Sequence, residues 1–255
     1  MASLYDRADI YDLGYTDSMR NAIREHWRLA LRETEIRDVL DVSIGSGALT
    51  LPMAELGYCL TGSDLSRSML EKCRKNAKDQ GTEIELFESD FRKVHENLAG
   101  KAFDMVMSTG NSLPYVENEQ IFTALASMDQ LVKPGGYIYL DSRNWDRILK
   151  TRQRFYFYRP IILDDGVRMD RFQVWDYNPD GSMTFNLVFT FEKDGSFAGR
   201  EIFEEHYHPT PRNIFIDALT ALDYEIRAVM NHPAQCDKPV DEFDWYCILA
   251  KKKNA

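Results

Sequence analysis

Apolar residues change their spacing several times along the chain, and each change marks an element. From Ser18 to Arg32, the residues Met19, Ala22, Ile23, Leu29 and Ala30 recur about every 3.6 positions among charged neighbours, which predicts an amphipathic helix. Short apolar runs then alternate with helical stretches. Val39–Val42, Gly57–Gly62, Ile84–Phe87, Phe103–Met107 and Tyr137–Leu140 read as strands, and Leu49–Leu56, Ser66–Lys78 and Glu119–Leu131 as helices. Alternation of this kind predicts an α/β fold, a doubly wound and mainly parallel sheet covered on both faces.

After Arg143 the texture changes. Residues from about 153 to 208 include RFYFYRP, RFQVWDY, SMTFNLVFTFEK and REIFEEHYH, broken by DDG, NPDG and KDG. Asn, Asp and Gly tolerate positive φ and suit tight hairpins, so an antiparallel β insertion or lid is expected over residues 150–209. Within it, the run Phe155-Tyr156-Phe157-Tyr158 is expected to be strand core. The tail returns to a helix, Arg212–Leu222, and two strands, Glu225–Val229 and Asp244–Ala250, which would complete the main sheet. The expected organisation is one domain over residues 1–255, with an N-terminal arm and helix over 1–35.

Charge narrows the partners. There are 31 Lys and Arg against 41 Asp and Glu, a formal net charge of −10. Such a field repels nucleic acid and anionic membrane surfaces, which leaves a small-molecule partner. Cys59, Cys73, Cys236 and Cys247 fall in separate segments without C-x-x-C spacing, as expected of reduced thiols in a cytoplasm. No run of about 18 apolar residues occurs, and the first residues are charged, so neither anchor nor signal peptide is expected. His206 and His208 alternate on one strand face, but no third ligand is suitably spaced, and no metal is expected.

Four spaced signals point to a nucleotide-like cofactor. Val39 to Gly47 is an apolar strand running through Asp41 and Ser43 into a turn with Gly45 and Gly47, where backbone can approach a ligand closely. Asp64 ends the next strand, 17 residues after Gly47, and an acid there can accept both ribose hydroxyl protons; it can equally cap the helix that follows. Asp90 and Phe91 follow the third strand, where a carboxylate can accept the adenine amino proton and a ring can flank the base. Leu131 to Gly136 reads as a helix stop and turn ahead of a late strand. Two more segments leave strands on the same edge: Ser108 to Tyr115, with Asn111, and Leu140 to Asp146, with Arg143. An amide can serve an amine through its oxygen and a carboxylate through its nitrogen, and a guanidinium fork suits a carboxylate.

Together these segments resemble the class I S-adenosylmethionine-dependent methyltransferases over nearly the whole chain. The G-N-S-x-x-aromatic and D-x-R-N-aromatic-D runs are similar to those of the glycine N-methyltransferases and glycine/sarcosine N-methyltransferases. The resemblance implies a seven-stranded Rossmann-like sheet with S-adenosylmethionine across the carboxyl ends of its first strands. It implies that Tyr11 and Arg20 reach the methionyl part of the cofactor, and that Leu65, Met69 and Ser108 complete the cofactor set. Asn111 and Arg143 would serve a small acceptor bearing a carboxylate, with Tyr115, Tyr158 and Tyr207 around it. Ser43 replaces the usual first glycine of the motif, and Tyr115 the usual His. The implied reaction is methyl transfer to the amine of glycine or sarcosine, with S-adenosylhomocysteine as product. Another small amine or hydroxyl acceptor, a nucleotide-binding dehydrogenase and a non-catalytic binding module are the alternatives, and a homo-oligomer is compatible with the arm.

Overall fold

The computed structural model describes residues 3–234 and 239–253; Cys236 lies outside them. The arm contains a short helix α1 (Ala8–Tyr11) and leads into α2 (Asp17–Ala30), capped by the Thr16 hydroxyl, which accepts from Met19 N. The main-sheet strands are β1 (Asp38–Asp41), β2 (Cys59–Asp64), β3 (Glu85–Glu88), β4 (Phe103–Ser108) and β5 (Val132–Arg143). Between them lie α3 (Arg67–Asp79), α4 (Val94–Asn97) and α5 (Asn118–Asp129), and α6 (Trp145–Thr151) follows β5. A second, antiparallel sheet holds β6 (Phe155–Phe157), β7 (Ile161–Ile162), β8 (Arg168–Tyr177), β9 (Met183–Lys193) and β10 (Ser196–Tyr207). Then α7 (Arg212–Ala221), β11 (Tyr224–Asn231) and β12 (Trp245–Lys252) return to the first sheet.

Seven strands make that first sheet, in the order β11-β12-β5-β4-β1-β2-β3, with β12 antiparallel to both its neighbours. Period-2 alternation shares the strands between two cores. Leu40, Val106, Ile138 and Leu140 pack with Ile121, Leu125 and Phe215 on the α5 and α7 side. Val39, Met105, Met107 and Tyr139 pack with Ile23 and Trp27 of α2 on the other. The hydrophobic runs of sequence are therefore strands buried on both faces.

Three expectations change. Leu51–Leu56 is a 3₁₀ helix rather than an α-helix, a six-residue piece that Gly57, at φ 91°, ends before it can lengthen. The segment expected as a turn before the late strand is part of β5: from Val132 to Tyr137 it advances five residues while β4 advances two, Phe103 to Met105. Gly136 lies in this bulge, where a Cβ would fall 2.8 Å from Asp104 O. Finally, Phe155 and Phe157 are exposed, and only Tyr156 and Tyr158 of that run turn inward to a cavity.

Two carboxyls are buried at the carboxyl ends of the strands. Asp41 is wholly enclosed and accepts from Ser43 N (3.0 Å), Thr109 Oγ1 (2.8 Å) and Thr50 Oγ1. Asp141 accepts from Asn111 N at 3.0 Å, while its Oδ2 has no donor and faces His232 Nε2 at 3.9 Å. Burial pushes Asp41 up to about 6 and Asp141 up to about 7, and pushes His232 down to about 4.

Gly136→Ala is expected to cost about 1–3 kcal/mol through its clash with backbone, read as a lower Tm with unchanged far-UV circular dichroism. A raised carboxyl keeps its proton in the folded protein while the unfolded chain has released it, so its contribution is full below about pH 4 and disappears as pH rises through about 7 for Asp141. His232 acts oppositely, its contribution present above the unfolded value and lost as pH falls toward about 4. Asp141→Asn removes only the first effect. Its stability relative to the natural chain should therefore rise between pH 5 and pH 8, by about 2–3 kcal/mol, read as a rising difference in Tm; a pH-independent difference would contradict the assignment.

Candidate active site

Strand order reverses at β1, which lies between β2 and β4. A crevice opens outside the carboxyl ends of strands at such a switch point. Here Ser43 Oγ, just after β1, bonds Ser108 Oγ at the end of β4 (2.9 Å) and donates to Thr109 O (3.0 Å). A glycine at position 43 could not make this tie. Gly45, at φ 54°, donates its N–H to Asp64 Oδ2 at 2.8 Å, and Ser66 N donates to Asp64 Oδ1 at 2.8 Å. Asp64 thus ties the glycine turn to Ser66, whose hydroxyl caps α3 by accepting from Met69 N, and burial raises the Asp64 carboxyl.

The arm closes over this turn. Ser3 Oγ and Leu4 N both donate to Glu205 Oε1 of β10 at 2.8 Å. Ser68 Oγ of α3 donates to Tyr5 O at 2.6 Å, and Asn76 Nδ2 donates to Asp12 Oδ2 at 2.8 Å. Tyr5, Tyr11 and Tyr15 then line a cleft of about 20 Å³ against Ser43, Gly45, Asp64 and Gly110. Tyr5, Tyr11, Tyr15, Leu49 and Gly110 also border a larger cavity of about 400 Å³ between the main sheet and the inserted one.

Arg143 stands in the wall of that cavity, 5% exposed, with rings of Tyr156, Trp175, Phe185 and Trp245 within 4.8–5.3 Å of its guanidinium carbon. Its Nη2 donates to Tyr158 Oη (3.3 Å) and Gln173 Oε1 (3.2 Å), whereas Nη1 is buried without an acceptor. No described carboxylate pairs with it. Four aromatic faces offset part of the burial cost of the charge. Asn111, at φ 60°, sits beside it. Its Oδ1 accepts from Ser142 Oγ, Arg143 N and Trp145 Nε1 at 3.0, 3.0 and 3.2 Å, which leaves Nδ2 as its free donor. Asn111 can therefore donate into the cavity but cannot offer an oxygen to an amine, which corrects half of its expected role.

Hydroxyls gather opposite. Tyr115 Oη lies 2.7 Å from Tyr207 Oη and 3.1 Å from both Tyr5 Oη and Glu205 Oε2. Burial pushes the Tyr207 hydroxyl up to about 12, and Tyr5 and Tyr115 well above the usual phenol value. They are neutral hydroxyls at physiological pH, able to donate or accept but not to act as phenolate bases.

Other expected residues stand apart. Arg20 ion-pairs with Glu55, which also holds Arg24, so its charge is used on the outer face of α2. Asp41 has a structural place, as described. Gly47 faces Cys73 and Leu51 rather than the cleft, and Met69 is buried beneath Gly45. Asp90 is held by Arg92, which draws its carboxyl below the usual range, while Phe91 packs against the core beside α5. Leu65 is 70% exposed and borders neither cavity. His206 pairs with Glu204 on the outer face of β10, and among the described residues no three His, Cys, Asp or Glu side chains form a metal-sized group. Sequence reasoning missed Tyr5, Glu205, Gln173 and Arg171. Strand alternation could have found three of them, since Glu205 shares a face with Tyr207, and Arg171 and Gln173 share one with Trp175.

Residues 39–136 match the methyltransferase domain family. A glycine/sarcosine N-methyltransferase of Aphanothece halophytica is 29% identical over 64% of this chain, and the match spans 64% of that relative, under two thirds of its length. A Clostridium acetobutylicum S-adenosylmethionine-dependent methyltransferase superposes with a TM-score of 0.76 at 18% identity, covering 99% of this chain and all of that one. A sugar N-methyltransferase of a Streptoalloteichus species superposes at 0.71 with 16% identity, covering 100% and 94%. Among the described residues no helix is long and apolar enough to cross a membrane. Residues 39–136 thus carry a methyltransferase domain, and the strand order with its switch-point crevice is the fold of the S-adenosylmethionine-dependent methyltransferases that superpose on the chain.

Proposed function

We propose that the protein transfers a methyl group from S-adenosylmethionine to the amine nitrogen of a small carboxylate-bearing acceptor of the glycine or sarcosine kind, releasing S-adenosylhomocysteine. The observation that carries this reading is Arg143: a permanently charged, enclosed guanidinium with a free Nη1 and no carboxylate of its own, beside the free Nδ2 of Asn111. Both are donors, and both suit the same anionic group. The name of the Aphanothece relative supports the amino-acid acceptor.

The residues at the crevice fit the cofactor. Asp64 stands at the end of β2 with acceptor capacity for ribose hydroxyls, and the Ser46 hydroxyl is buried without a partner. A cleft of about 20 Å³ has room for about one water, so the arm must swing from Glu205 and Ser68 to admit adenosine. The bound cofactor supplies a methyl already activated by a positive sulfur. The protein's work is then alignment, which can supply roughly 7–11 kcal/mol of a barrier. Arg143 and Asn111 hold the acceptor's carboxylate, and the neutral hydroxyls of Tyr115 and Tyr207 orient its amine. The nitrogen lone pair forms the new C–N bond, the C–S pair stays on sulfur, and the surplus amine proton leaves to solvent. The free Cys59, Cys73 and Cys247 fit a reducing cytoplasm.

S-adenosylhomocysteine at 100 times its Kd is expected to raise stability by about 2.7 kcal/mol in thermal unfolding, NAD to leave it unchanged, and Asp64→Ala to abolish the shift. With S-adenosylmethionine and a panel of glycine, sarcosine, dimethylglycine and other small amines, mass detection should show S-adenosylhomocysteine. Arg143→Ala should raise the acceptor's KM at least tenfold more than that of the donor. Cofactor binding without turnover on any amine or hydroxyl would identify a binding module instead.

A further inference from the structure

The 400 Å³ cavity holds a second guanidinium that the amino-acid reading leaves unused. Arg171 and Gln173 alternate along β8 and both line the cavity. The Arg171 guanidinium lies over the Tyr158 ring, 4.7 Å from its centroid, and the hydroxyl of the same tyrosine accepts from Arg143 Nη2. Two cations therefore share one phenol. Arg171 Nε is buried with no acceptor, and no described carboxylate pairs with this side chain. The arm makes room for it, since a Cβ on Gly14 would fall 2.0 Å from Arg171 Nη1.

Charge counting gives the ligand. Arg143 and Arg171 contribute two positive charges to the lining and Glu205 one negative. Both Glu205 oxygens are already engaged, by the arm and by Tyr115. The donor's sulfonium adds another positive charge when bound, while its carboxylate and ammonium cancel. An amine carrying one carboxylate leaves a net positive site, and an amine carrying two anionic groups neutralises it. Size agrees, since a cavity of about 400 Å³ falls within the roughly 300–1,000 Å³ of sites for ligands much larger than glycine.

We infer that the preferred acceptor is a dianionic amine, such as an acidic amino acid, with one anionic group on Arg143 and the second on Arg171. This deepens the methyltransferase reading and rests on it. The second group is a carboxylate or a phosphate, both of which a guanidinium fork accepts.

The test uses the full chain with S-adenosylmethionine and compares L-aspartate, L-glutamate and O-phospho-L-serine with glycine and sarcosine. At least one dianionic amine should exceed glycine in kcat/KM by tenfold or more, and which one does so separates carboxylate from phosphate. Arg171→Gln should cut that ratio at least tenfold through the KM of the dianionic amine, with partial recovery in Arg171→Lys. Gly14→Ala, which displaces the guanidinium tip without removing it, should also lower the ratio and serves if the Gln variant does not fold. Calorimetric titration of the same three amines in the presence of S-adenosylhomocysteine provides a readout without turnover. Binding lost in Arg171→Gln while no amine is methylated would support the dianion site and defeat only the transfer reading. Preference for glycine over all three would overturn the inference. So would an equal rise in the KM of S-adenosylmethionine, which would assign Arg171 to the donor, or dianion binding unchanged by Arg171→Gln.

Discussion

Asp41 ends β1 with its carboxylate shut away from solvent, and the crevice depends on what surrounds it. A carboxyl placed there without donors would cost several kcal/mol. Thr50 and Thr109 supply side-chain donors and Ser43 a backbone one, from three different points of the chain. The turn after β1, the start of the 3₁₀ helix and the exit from β4 are therefore bound to a common point. Ser43 then reaches across to Ser108, and the turn can present Gly45 and Asp64 to one crevice without rearranging. A hydrogen-bonded interior acid does here what an apolar contact could not: it fixes the direction of three loops as well as their proximity.

The second sheet imposes a different constraint on Arg143. Stacked rings hold the guanidinium from several sides, and Gln173, itself fixed by Trp175 Nε1 at 2.8 Å, holds one end of the fork. The charge is rigid before any partner arrives, so little side-chain entropy remains to be lost on binding. The arm is the opposite kind of element. Leu4 and Ile10 seat it against Met169, Phe189 and Phe203 of the second sheet, while its polar anchors on Glu205 and on α3 can be exchanged for water.

Much of this was legible in the chain. The α/β alternation, the inserted hairpins at DDG, NPDG and KDG, and the places of Asp64 and Arg143 at the ends of their strands all follow local rules that survive burial. What sequence could not show was competition among partners. Arg20 is the arginine that the resemblance assigned to the cofactor, but Glu55 sits within its reach and pairs with it. Asp90 yields to Arg92, two residues away, in the same manner. Asn111 was readable as polar and close to the site, but the direction of its amide depends on three donors, two of them at positions 143 and 145. The bulge in β5 was hidden because Lys-Pro-Gly-Gly reads as a turn, and only the register against β4 shows that pairing continues through it.

Strand β6 is short and lies at the border of its sheet, pairing Phe155, Tyr156 and Phe157 with Val174, Gln173 and Phe172. Side chains alternate across such a ribbon, so a slip of one residue would exchange the two faces. The phenols of Tyr156 and Tyr158 would turn to water, and two phenyl rings would meet the guanidinium instead, without the hydroxyl that bridges it to Gln173. The polarity of the whole chamber is thus decided by the alignment of three residues on a boundary strand, and the water-facing phenyls are what that alignment costs.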